Sequence, residues 1–320
     1  MSPATALLVD VVVAVGLVVV LPLGLSLLGP RTVPGAGGPW WPAAGAVAAA
    51  GAWLPSGPLA QGATVPFLVG AVVLLGAAVR LVLPGPTPPL PPEVRLAVGV
   101  ALVMPGVGAA AMLADRGGWG LLGFSGTYLT LTVPHMLFAG FAAALVAGLT
   151  VVVDRDTPAR GAGRPAAARL GALGVPLGTG TVLVGYFVSD LVELLGALVL
   201  TGALWCTAWA VLGIPARRGA RVLLAVGSVA LGASMLLAVW WAVGELTGAP
   251  HPGIGLMAAT HGLANALGFA LCTLLGLGRV AREAQRRPGP PGRSPRTGTL
   301  LQERPRPAHT PSRSPGRRQA

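Results

Sequence analysis

The chain alternates between long, almost uninterrupted runs of Val, Leu, Ala and Gly and short stretches rich in Pro, Gly and Arg. A hydrocarbon core about 30 Å thick takes about 20 residues of helix. Nine runs approach that length: near 5–28, 39–54, 59–83, 94–114, 127–152, 170–188, 191–213, 222–245 and 256–278. The second is short and rich in Ala and Gly, and the sixth and seventh nearly touch, so an eight-span count stays open. The pattern predicts an all-α polytopic transmembrane helix bundle of about nine spans over 1–278, followed by a polar segment over 279–320.

The arginines test the count, because loops on the cytoplasmic side carry the excess of positive charge. With nine spans, Arg31, Arg80, Arg95, Arg155, Arg160, Arg164, Arg169, Arg217, Arg218, Arg221 and the basic C-terminal segment all fall on one side, and only Arg116 falls on the other. Removing or adding a span scatters them across both faces. The expected orientation is therefore N-terminus outside and C-terminus cytoplasmic. No basic residue precedes the first run, so it lacks the charged start of a secretory signal and reads as an uncleaved first span.

Composition narrows the class. A chain that is 53% hydrophobic and 10% charged lies outside the range of soluble domains. The net charge of +12 would elsewhere point to nucleic acid, but every basic residue is arginine and they sit in short loops and the C-terminal segment, so no nucleic-acid role is expected. That segment, rich in Pro, Arg and Ser, cannot bury enough apolar surface to offset ordering and is expected to be disordered. It is either a solvated stop-transfer flank, with His309 carrying no site role, or a polybasic contact for anionic lipid. Cys206 and Cys272 fall inside apolar runs and read as small buried hydrophobes.

Ionisable groups inside spans are costly and so are candidates for function. His261 lies in the last span about 8 Å from its outer end, and Asn265 one turn deeper on the same face. His135 follows Pro134 on the fifth span, where the missing N–H predicts a kink and a free carbonyl that Thr130 or Thr132 can satisfy. Below it Gly140, Ala144 and Gly148 form a small-residue stripe, as do Gly262, Ala266 and Ala270 on the last span. Packing of the two stripes would bring the histidines together. Asp190 and Glu193 share a face at the junction of spans six and seven. Glu245, His251, Asp10 and Asp115 are also assigned to the outer half, which outlines a polar cavity open to the exterior. For each group the alternative is an ordinary interhelical hydrogen bond or a solvated turn.

Two chemistries use such a set. His135, His261, Asn265, Asp190 and Glu193 suit a transporter-like cavity that binds a small solute or a proton. Alternatively His135 and His261 are metal or haem ligands with Asn265 in support. A third reading is a structural component of a membrane assembly. No phosphate-binding loop, dinucleotide fingerprint or hydrolase elbow occurs in a credible context, so an enzyme of soluble type is not expected.

"LTVPHMLFAGF", "MAATHGLANALGF", the N-terminal "GLVVVLPLGLSLL" and "PWWPAAGAVAAAGAWLPSGPLA" resemble the YndJ-like family of bacterial integral membrane proteins. The likeness covers most of residues 5–278, and its specific part is the two histidine motifs. It implies that His135, Gly140, Phe141, His261, Gly262, Asn265, Gly268 and Phe269 occupy motif positions. It also implies a multi-pass protein of the bacterial cytoplasmic membrane. Members of that family are sometimes labelled transporters, but the resemblance supplies neither substrate nor mechanism.

Overall fold

A computed structural model describes residues 1–83, 90–155, 163–286 and Leu300. Within them the chain forms nine helices: α1 (Pro3–Leu28), α2 (Trp40–Ala52), α3 (Pro58–Val82), α4 (Pro92–Gly117), α5 (Gly126–Arg155), α6 (Arg164–Val188), α7 (Asp190–Leu212), α8 (Arg218–Thr247) and α9 (Ile254–Arg286). All but α2 are long and apolar enough to cross a membrane. Local chemistry sets several ends. Ser2 accepts from the Thr5 N–H at the start of α1, with Pro3 in the first turn, and left-handed Gly118 and Gly248 close α4 and α8. Ser189 alone separates α6 from α7 and caps the latter.

The second expected span is only half a span. With 13 residues, α2 is about 20 Å long, short of a core about 30 Å thick. It nevertheless runs antiparallel to α3: Gly51 packs on Ala63 and Ala60, and Trp41 packs on Gly70. The segment 29–39 supplies the rest of the return path and buries Val33 completely. The parity of nine crossings is thus kept by eight full helices and one half-length helix.

Contacts at the two ends agree with that path. At one end the Gly57 N–H donates to the Arg116 carbonyl at 2.8 Å, Asp10 feels the charges of Asp115 and Arg116, and Phe124 packs edge-on against Tyr186 and Phe187. At the other, the buried Glu93 is paired with Arg155 at 3.4 Å and with Arg169 at 3.6 Å, which ties α4, α5 and α6 together. All the described arginines except Arg116 lie at this second end, because they occupy the ends and loops that the helix path brings there. Arg116 is held by Asp115 and donates to the Ala52 carbonyl at 2.9 Å, locking the end of α2 to α4.

The core is built around α5. Its most apolar stretch is 83% buried, whereas the other spanning helices are between 33% and 56% buried. The remaining apolar surface faces outward, as in the stripe Val65, Val69, Val72, Leu75 and Val79 on α3. Outward aliphatic stripes at helical spacing are what a lipid solvent permits. Small residues do the close packing. A Cβ on Gly178 would fall 2.6 Å from the backbone N and Cα of Leu200, which fixes the α6–α7 hairpin.

α9 continues to Arg286, beyond the boundary expected after Gly278. Leu300 donates its N–H to the Leu27 carbonyl at 3.0 Å. The rest of the C-terminal segment, with His309, and Arg160 lie outside the described residues.

Candidate functional site

His261 and Asn265 form a closed hydrogen-bonded set with Ser234 of α8. The His261 Nδ1 lies 2.8 Å from the Ser234 carbonyl oxygen. A carbonyl can only accept, so Nδ1 carries the hydrogen and Nε2 keeps the lone pair. The Asn265 Nδ2 donates to the His261 carbonyl at 3.0 Å and lies over the imidazole, 3.1 Å from Nε2 and 3.4 Å from Nδ1. The amide oxygen of Asn265 accepts from the Ser234 hydroxyl at 2.9 Å. Asn265 and Ser234 are buried, and both polar ends of the Asn265 amide have partners. This is what hydrocarbon demands of polar side chains.

His135 is placed differently. Its side chain is exposed. It makes no hydrogen bond to another described residue. It is close enough to His261 for the charge of one to be felt by the other. The structure therefore brings the two histidines into one region, although not through the expected stripes. Gly140 packs on Met104, and Gly148 on Val98 and Ala97, so the α5 stripe meets α4. α5 and α9 touch at their π-helical turns instead.

Those turns are the local feature that positions the site. Pro134 is followed by a π-helical segment, Met136–Ala142, in place of a simple kink. His261 lies in a second, Ala258–Gly262, Asn265 in a third, Ala264–Leu271, and α1 carries a fourth, Gly16–Val20. The segments of α1 and α5 and that around Asn265 contact one another, with Gly16 packed on Leu137 and Phe138. π turns cluster at functional sites because a widened turn re-aims side chains and frees backbone groups. Thr130 and Thr132 do not serve the freed carbonyl as expected. Thr132 bonds back to the Tyr128 carbonyl, and the one hydroxyl hydrogen of Thr130 is shared between Asp115 Oδ1 at 2.9 Å and the Gly126 carbonyl at 3.1 Å.

The carboxylates gather apart from the histidines, at the same end of the bundle. Asp190 is exposed and Glu193 half-buried, and Glu193 lies within electrostatic range of Asp190 and Glu245. Tyr186 lies within range of Glu193, Glu245 and Tyr128. Glu245 is 3.2 Å from His251, whose ring stands edge-on to Trp241. Among the described residues no hydrogen bond or ion pair links these acids to His135 or His261. Asp10 and Asp115 belong to the separate cluster around Arg116.

Among the described residues no group of three His, Cys, Asp or Glu side chains is placed to hold an ion.

Ser234 was not legible in the sequence. A serine in an apolar helix most often bonds back within its own helix, and here the Leu231 carbonyl, 3.1 Å from the hydroxyl oxygen, competes with Asn265 for the one hydroxyl hydrogen. Only the pairing of α8 with α9 reveals its second partner.

A protein-family model described as YndJ-like protein matches residues 11–269, a stretch that contains both histidine motifs. No curated protein and no solved structure matches the chain.

Proposed function

The chain belongs to the YndJ-like family, and from that membership and the geometry above we propose that it is a transporter-like protein of the bacterial cytoplasmic membrane that binds a small solute or proton. The site lies in the half of the membrane nearest the N-terminus. The arginine asymmetry supports placing that half on the outside, since the arginine-rich end belongs to the cytoplasm. The observation that carries the reading is His135. It is an exposed imidazole on a membrane-spanning helix, without a hydrogen bond to another described residue, near the His261–Asn265–Ser234 set. Satisfied groups hold a shape, and an unsatisfied one awaits a ligand.

Asp190, Glu193 and Glu245 at the same end of the bundle would give the approach a negative potential, which favours a cation or a proton over an anion.

The test is a thermal-stability screen of the purified protein against small amines and monovalent and divalent cations. Wild type should be stabilised by at least one of them, and His135→Ala should fold but lose that stabilisation. Equal stabilisation of both proteins would remove His135 from the site. An absorption spectrum with elemental analysis separates the metal or haem reading, which requires a stoichiometric metal lost in the His135→Ala/His261→Ala protein.

A further inference from the structure

We infer that the arginine-rich end of the bundle carries a binding site for a phosphate-bearing lipid headgroup, distinct from the histidine site and independent of the function proposed for it. A cleft of about 320 Å³ lies where the start of α8 meets the end of α9, and Arg217, Arg279, Arg282, Arg286 and Glu283 line it. Four guanidinium groups face a single carboxylate. The backbone partly organises them: Arg279 donates to the Gly219 carbonyl at 3.2 Å, and the Arg217 N–H points to Glu283 at 3.4 Å. Among the described residues Arg217, Arg282 and Arg286 form no ion pair, and their side chains are exposed. The cleft also receives the N-terminal end of α8, where backbone N–H groups and the helix dipole favour an anion.

Guanidinium groups present planar forks of donors that match phosphate oxygens, and four of them beside one carboxylate leave an excess of positive charge for an anion to meet. The depth of the cleft selects the source of that anion. Val222, five residues into the helix from Arg217, and Val226 one turn further are exposed apolar side chains. At 1.5 Å per residue the hydrocarbon surface therefore begins about 8 Å below the arginines. The cleft sits at headgroup level, where an anionic phospholipid places its phosphate while its chains lie against the apolar helix surface.

The experiment uses the full chain, delipidated in a neutral detergent. Its thermal stability is titrated with phosphatidylglycerol, with phosphatidylcholine and with inorganic phosphate or pyrophosphate. Phosphatidylglycerol should stabilise the protein at low concentration, and phosphatidylcholine should not. The Arg279→Gln/Arg282→Gln/Arg286→Gln protein should need about tenfold more phosphatidylglycerol or worse, whereas Arg31→Gln/Arg80→Gln/Arg95→Gln, which removes equal charge from the same end, should behave as wild type. If the first triple variant does not fold, Arg282→Gln/Arg286→Gln tests the same point without disturbing the Arg279 contact. An equal loss in both triple variants would reduce the effect to diffuse surface charge and overturn the site. Inorganic phosphate or pyrophosphate stabilising the protein as well as the lipid does would overturn the lipid assignment.

Discussion

His261 and Ser234 are joined across α9 and α8 by a 2.8 Å hydrogen bond from the imidazole Nδ1 to a backbone carbonyl oxygen. This one relationship fixes the tautomer. The neutral ring should be protonated on Nδ1, as nitrogen-15 NMR of histidine-labelled protein would show. An Nε2-protonated His261 would contradict the arrangement.

Removing the Asn265 side chain takes the amide from both the His261 carbonyl and the Ser234 hydroxyl, while removing the Ser234 hydroxyl leaves only the amide oxygen unpaired. Asn265→Ala is expected to cost about 1–2 kcal/mol and Ser234→Ala about 0.6–1 kcal/mol. Thermal unfolding in detergent would rank them, and the reverse order would show that the hydroxyl, not the amide, anchors the set.

His135 and His261 should separate in the same measurement. His135 has no described hydrogen bond to lose, so His135→Ala should change stability by less than about 0.5 kcal/mol, whereas His261→Ala should cost about 1 kcal/mol or more. Equal losses would mean that His135 has a structural partner.

Gly178 and Gly180 lie two residues apart on nearly opposite sides of α6, with opposite surroundings. A Cβ at Gly178 meets the Leu200 backbone at 2.6 Å, and a Cβ at Gly180 meets nothing within 4 Å. Backbone cannot step aside as a side chain can. Gly178→Ala should cost about 2 kcal/mol or more, and Gly180→Ala should be neutral or slightly stabilising through its helix propensity. Yield and thermal stability of the two purified proteins would decide.

Glu93 is buried, and its two arginine partners are about half-exposed, so solvent screens most of the pairing. Glu93→Gln should therefore cost about 1 kcal/mol, and less at high salt. A larger, salt-independent loss would point to packing of the side chain as its main contribution.

The sequence alone determined the all-α membrane bundle and gathered its arginines at one end, because transfer of apolar and charged groups between water and lipid is a property of each residue and needs no tertiary detail. Pro134 likewise announced a disturbance before His135. Only the tertiary structure decided the rest. It made α2 a half-length helix, since whether 13 apolar residues cross or fold back depends on what α3 and the segment 29–39 place beside them. It turned the Gly140 stripe toward Met104 instead of α9, because a small-residue face accepts any close-packing neighbour. It supplied Ser234 and the π turns, and it kept Asp190 and Glu193 apart from the histidines. Hydrogen-bond partners on separate helices are chosen by the crossing of those helices, and no periodicity within one of them records it.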